Sequence, residues 1–350
     1  MDFSKSKIKY LIIHEIGNKL RDEKVFLSDN LQPLDNHLEK VLLNYFLKPF
    51  LIKEEIFNLS HSSDISLNEI YSYSKEVFQQ SDESTFIQAS QNMAKHLYEY
   101  SLHPRIVSGE LIIVQISGVI WQNNTIDLIG IFKSETKDSF LKLLKKQDII
   151  TIKDDTGINV SKLDKGCLIF NTGEGVGYSV LNIDNHNQAT DYWTNKFLNL
   201  SPVNNNIHKT KEILKICKSF SEDVLSTDYD TDSEFTFKNN YINYFEDSHS
   251  YNLDTFVNKV FENDEIKGEF LNYQKSNEGS FDFNMSDEFE LSQKNIKKEK
   301  KKIKSTIKLD TNLELKVLLD KDNGTKNIEK GFDESKGMYF YKIYFNEEIK

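Results

Sequence analysis

Apolar and polar positions change period along this chain. The run Ile8–Ile16 predicts a strand. Pro33 fits the first turn of a helix, where a missing N–H costs nothing. Leu34, Leu38, Val41, Leu42 and Tyr45 then mark one helical face. Ser84 is the expected cap of a second helix, with Phe86, Ala89, Met93, Leu97 and Tyr100 on one side and Pro104 beyond its end. Glu110–Ile120 and Thr125–Lys133 are β-rich and predict a hairpin turning at Gln122-Asn123-Asn124. Gly166–Phe170 and Tyr178–Ile183 predict another, turning through residues 172–177. A short helix carrying Trp193, Phe197 and Leu200 follows.

From 205 to 304 the period is helical. Ile213, Ile216, Cys217, Phe220 and Val224 form one stripe. Leu253, Phe256, Val257 and Val260 form a second, and Ile266, Phe270 and Tyr273 a third. Asp228–Asp232 reads as an acidic loop. Phe289, Ile296 and Ile303 recur every seven residues, which predicts a last helix running through them. The tail then alternates with period two. Ile307, Leu309, Leu313, Leu315, Val317 and Leu319 fall on odd positions and polar residues on even ones, the pattern of half-buried strands. A turn is expected near Asp310-Thr311-Asn312, and a final strand over Met338–Phe345. These strands should pair with each other or return to the N-terminal sheet.

The expected fold class is therefore α+β. A mixed N-terminal part with antiparallel hairpins covers 1–203. A mostly helical, acidic part ending in a lysine-rich helix covers 204–304. A short β tail, 305–350, packs on one of the two. At 350 residues the chain is long enough for two domains. Its 12% aromatic content argues against wholesale disorder. Cys167 and Cys217 lie far apart and lack a CxxC partner, which disfavours a zinc site or a disulfide framework. The apolar run Tyr10–Ile13 is shorter than a signal segment, and no run approaches the ~20 residues that span a bilayer. The expectation is a cytoplasmic protein without a membrane partner.

Four short matches to catalytic patterns fail on their context. His14-Glu15 lacks the second histidine of HExxH, because Asn18 stands there. His14 is expected in or beside a sheet. Gly173-x-Gly175-x-Gly177 lacks the spacing, helix and acidic residue of a dinucleotide loop, and reads as a hairpin turn. Asp155-Thr156-Gly157 follows polar Lys153 and Asp154 where an aspartic protease needs an apolar strand, and reads as a capped turn. Asp254, Glu265 and Lys267 imitate a nuclease set but fall on helical segments. No enzyme and no cofactor are expected.

Charge is the strongest remaining signal. The chain carries −11 overall, yet Lys294–Lys308 (KNIKKEKKKIKSTIK) holds eight lysines against Glu299. Just before it, Ser221–Gln293 carries 18 acidic and 4 basic residues. A lysine cluster can neutralise phosphates and release counterions. It can equally balance an acidic neighbour. No recognition helix, zinc finger or aromatic RNA platform accompanies it, so binding by it would track the backbone and read little sequence.

Three segments carry a family resemblance: IKYLIIHEIGNK at the start, LDKGCLIFNTGEGVGYSVLNIDN with DYWTNKFLNL in the middle, and KSTIKLDTNLELKVLLD with IEKGFDESKGMYFYKIYF in the tail. The most specific parts are the tail and the block Tyr192, Trp193, Phe197 and Leu198. On these the chain resembles the bacterial nucleoid-associated protein family of the NdpA/YejK type, especially its Bacteroidetes-like branch. The resemblance implies a non-enzymatic protein of the nucleoid that associates with DNA. The expectation is low-specificity binding of double-stranded DNA through backbone phosphates, with Lys297, Lys298, Lys300, Lys301, Lys302 and Lys304 as the contacts. A homo-oligomer would place two clusters on one duplex. The alternative is an acidic interaction module, 221–293, recruited to the nucleoid by a basic protein partner.

Overall fold

The computed structural model describes the chain except residues 147–148, 174–177, 186–191, 230, 278, 280–282, 303–304, 312, 318–327 and 348–350. The chain divides into two compact units, Met1–Val203 and Asn204–Lys350.

The first unit is built on an antiparallel sheet. Its strands are β1 (Lys7–Ile16), β2 (Phe57–Leu59), β3 (Gly109–Trp121), β4 (Asn124–Ser134), β7 (Lys165–Phe170), β8 (Ser179–Asp184) and β9 (Leu200–Pro202), in the spatial order β1-β3-β4-β7-β8-β2-β9. The intervening β5 (Lys137–Lys146) and β6 (Ile149–Ile158) make a separate two-stranded sheet. The β3–β4 turn lies where the sequence predicts it. Gln122 and Asn123 both adopt positive φ (48° and 67°), as a two-residue turn matched to strand twist requires.

Helices cover both faces of the sheet. α2 (Glu69–Gln80) and α3 (Glu83–Glu99) pack on one, and α1 (Asn36–Leu47) on the other. This explains the unbroken apolar run of β3. Leu111 and Ile113 face the core with Phe86 and Met93, while Ile112, Val114 and Ile116 face the one with Phe46 and Phe50. The start of α1 differs from expectation. Asp35 caps it by accepting the N–H groups of His37 and Leu38, and Pro33 lies upstream of the helix. Asp82, not Ser84, caps α3. The block around Trp193 is a π-helical turn, Tyr192–Phe197, and Leu200 belongs to β9.

The second unit gathers helices around an aromatic core. They are α4 (Asn206–Phe220), the short α5 (Ser226–Asp228), α6 (Thr231–Asp247), α7 (Leu253–Val260), α8 (Asp264–Ser276) and α9 (Gln293–Lys302). Phe220, Tyr241, Phe245, Phe256 and Phe270 are fully or almost fully buried at its centre. The three predicted stripes supply much of this core. The predicted acidic loop at 228–232 is not one loop: Asp228 ends α5, Thr231 and Asp232 open α6, and Asp230 lies outside the described residues. Phe289 lies on a two-residue ladder, β10 (Ser250–Tyr251) with β11 (Phe289–Glu290), so the seven-residue spacing does not describe one helix. Ile303 lies outside the described residues.

The tail forms two hairpins. β12 (Ser305–Lys308) pairs with β13 (Glu314–Val317), and β14 (Ile328–Asp333) with β15 (Met338–Ile343). The predicted turn near Asp310 and the strand at Met338 are both present. Asp155-Thr156-Gly157 is not a turn; it lies inside β6, opposite Phe140, Ser139 and Asp138.

Candidate nucleic-acid interface

α9 is held by its first turn. The Ser292 N–H donates to Thr210 Oγ1 (3.0 Å), and Gln293 Nε2 donates to the Ser248 carbonyl (2.9 Å). Ile296 is fully buried in the aromatic core, with Asn295 buried beside it. At about 100° per residue, these anchors decide which lysines face outward. Lys294, Lys297, Lys298 and Lys301 are exposed and follow an i, i+3, i+4, i+7 spacing, which places them on one face.

Lys300 sits on the inner flank. It is half-buried, and its Nζ lies 2.9 Å from Glu246 Oε2 on α6. Among the described residues, Lys297, Lys298 and Lys301 form no ion pair. Lys302 ends the helix, but its side chain and the whole of Lys304 lie outside the described residues. Lysines in the last turn also suit the negative end of the helix dipole. The structure thus separates one lysine that ties α9 to α6 from a stripe that faces solvent. Acidic side chains occupy other exposed positions of this unit, among them Asp254, Glu262, Asp264, Glu265 and Glu269. Asp254 lies on α7, whereas Glu265 and Lys267 lie on α8, and Lys267 donates to Asn258 (2.6 Å).

The first unit contains a buried charge network that the sequence reading missed. Lys133 of β4 and Lys165 of β7 stand directly opposite each other, an arrangement of like charges that is unfavourable alone. Each has its own carboxylate. Lys133 Nζ donates to Glu135 Oε1 (2.9 Å) and to the Val107 carbonyl (2.6 Å). Lys165 Nζ donates to Asp184 Oδ1 (2.5 Å). The Tyr192 ring lies about 5.5 Å from both ammonium groups, and its hydroxyl donates to Glu135 (2.8 Å). Burial pushes the Lys133 pKa down, against the pull of Glu135. Trp193 Nε1 donates to Asn182 Oδ1 (3.0 Å), and Phe197 and Leu198 are buried. Glu135 and Asp184 neutralise the two buried lysines, while the Tyr192-to-Leu198 block lays a ring beside both ammonium groups and fills core. A lysine inside an otherwise apolar strand was the signal for it.

His14 is buried in β1. Its Nδ1 accepts the Ser28 N–H (3.1 Å), which leaves Nε2–H to donate to Ser90 Oγ (3.1 Å). Burial lowers its pKa to about 4, opposed by the charge of Asp29. This is a neutral, structural histidine. An open polar hollow on the second unit, lined by Tyr244, His249, Asn252, Thr255 and Glu288, brings no second carboxylate to Glu288. Among the described residues, no group of three or more His, Cys, Asp or Glu is placed to hold a metal ion. No described helix is long and apolar enough to cross a membrane.

Fold and surface define an α+β protein in which a lysine-striped helix emerges from an acidic helical unit. His14, Lys133 and Lys165 are tied into buried structural bonds, and Asp254, Glu265 and Lys267 lie on two separate helices. The chain belongs to the family described as nucleoid-associated protein YejK, whose family model matches residues 12–336. Membership places it among proteins of the bacterial nucleoid. No curated protein matches the chain.

Proposed function

We propose that the protein binds double-stranded DNA without catalysing a reaction on it, through phosphate contacts from the outward face of α9. The observation that carries this reading is the stripe Lys294, Lys297, Lys298 and Lys301, presented on one face by the buried Ile296. The stripe spans roughly 10 Å of helix, enough to follow phosphates along a backbone. It offers no planar donor fork to base edges, so it favours position over sequence. Lys300 contributes to seating α9 on α6.

The exposed acidic surface of residues 221–293 supports a second reading, in which a basic protein partner recruits this unit to the nucleoid. Titration of a labelled duplex across 50–200 mM salt separates the two. Direct binding gives a steep fall of log K with log salt. Replacing the four stripe lysines by Gln lowers that slope by about 3–4, at roughly 0.9 per phosphate contact. Lys300→Gln changes it by less than about 1. Duplexes of unrelated sequence bind within about threefold of each other, as phosphate contacts dictate. No binding at 50 mM salt overturns the DNA reading and favours the protein partner.

A further inference from the structure

The β5–β6 hairpin is an element without a core. It leaves the seven-stranded sheet after Ser134 and returns to it at Lys165. Ten paired positions at ~3.4 Å each make an arm about 34 Å long. Its root is fixed. The Asp164 carboxylate accepts the N–H groups of Glu135 (2.7 Å) and Thr136 (2.9 Å), and Asn159 Nδ2 donates to Asp138 (2.6 Å). Farther out the arm is bare. On one face Leu141, Leu143, Ile150 and Ile152 are 64–71% exposed; on the other, Phe140 and Ile149 are 50% and 65% exposed. None of the six belongs to a core cluster. Among the described residues, neither strand has a second neighbour in its sheet. A lone two-stranded ribbon is marginal in water, and open apolar edges invite pairing.

We propose that this arm is a self-association element, and that the arms of two copies pack reciprocally about a two-fold axis, Leu143 face to Leu143 face. Two observations support a second copy, and the second is specific to one. The first is area. At roughly 100 Å² of apolar surface per large side chain, the four on the Leu143 face expose about 270 Å², close to the ~300–600 Å² of the largest patch on a typical monomer. With its polar fringe one arm covers roughly 600–800 Å². A second copy packing the same face buries as much again, and the total reaches the ~1,200–2,000 Å² of a stable interface. The second is charge. From root to tip, the Leu143 face carries Leu141 opposite Asp154, then Leu143 opposite Ile152, then Lys145 opposite Ile150. A two-fold axis at the Leu143–Ile152 pair sets the Lys145 end of one arm over the Asp154 end of its twin. The reverse face, with Lys142 directly opposite Lys153, lacks that complementarity.

The proposal stands apart from DNA binding by α9 and is tested on nuclease-treated, full-length protein. Light scattering at 1–100 μM should give twice 40.8 kDa at the upper concentrations. Leu143→Lys/Ile152→Glu preserves a favourable cross-strand pair within the arm and stacks like charges across the two-fold. It should halve the mass while leaving the far-UV circular dichroism unchanged. Lys145→Glu should weaken the dimer at least tenfold, and adding Asp154→Lys should restore it. Amide exchange at residues 141–144 and 150–153 should slow with concentration in the wild type only. A wild-type chain monomeric at 100 μM overturns the proposal. So does a double variant that remains dimeric, or a charge swap that fails to restore association.

Discussion

Lys133→Met tests whether the buried network is held by paired charges. The Lys133 side chain is 0% exposed and its partner Glu135 only 7%. Methionine nearly fills the volume but removes the ammonium, so Glu135 keeps only the Tyr192 hydroxyl, at 2.8 Å, from this set. Breaking one side of a buried pair costs about 3–5 kcal/mol, and the surviving tyrosine bond places this case near 3. In a unit of about 200 residues, 3 kcal/mol lowers the thermal midpoint by roughly 6–12 °C. Both tryptophans, Trp121 and Trp193, lie in this unit, so urea unfolding followed by their fluorescence reports on it. Lys133→Met/Glu135→Gln removes both charges and leaves a neutral acceptor for Tyr192. It should recover at least half of the loss. A single-variant cost below about 1 kcal/mol, or a double variant worse than the single, would refute the reasoning.

Two further outcomes follow from buried groups of the first unit. The His14 pKa, lowered by burial to about 4, lies below its unfolded value, so the unfolded chain takes up the proton first. Up to about 3 kcal/mol of stability is therefore present above pH ~6.5 and lost as pH falls through about 4; urea midpoints measured between pH 7 and 4 should show this fall, reduced in His14→Gln. Gly118 stands at an irregularity of the β3–β4 ladder with φ of 75°, where an added Cβ would lie 2.7 Å from the Lys5 carbonyl oxygen. Gly118→Ala should cost about 1–3 kcal/mol in the same unfolding assay.

The readable parts of the fold were those where local pattern and burial agree. The β3–β4 hairpin shows why. Its turn residues and flanking apolar runs each specify the same two strands. The stripes of α3, α4, α7 and α8 were likewise visible because each helix buries only one face. The β5–β6 arm was missed because its apolar residues cover both faces and Asp155-Thr156-Gly157, after polar Lys153 and Asp154, reads as a turn. α2 was missed too. Its buried Ile70, Tyr71 and Val77 are interrupted by polar Ser74, which is itself buried. In the candidate interface the charge run was plain, but its division was not. Adjacent lysines differ by about 100° in direction, and only the burial of Ile296 settles which turn outward.

The sequence by itself determined the α+β class, the two central hairpins, the helical stripes, the resemblance to nucleoid-associated proteins and the concentration of lysine beside an acidic region. Each is a property of composition or of short-range order. Tertiary structure decided which lysines meet which carboxylates. It paired Lys300 with Glu246, turned Lys297, Lys298 and Lys301 to solvent, and enclosed Lys133 and Lys165 around Tyr192. The physical reason is that a charge's role depends on its solvation and its nearest opposite charge. Both are set by residues that lie 2 to 59 positions away along the chain and within 3.2 Å in space.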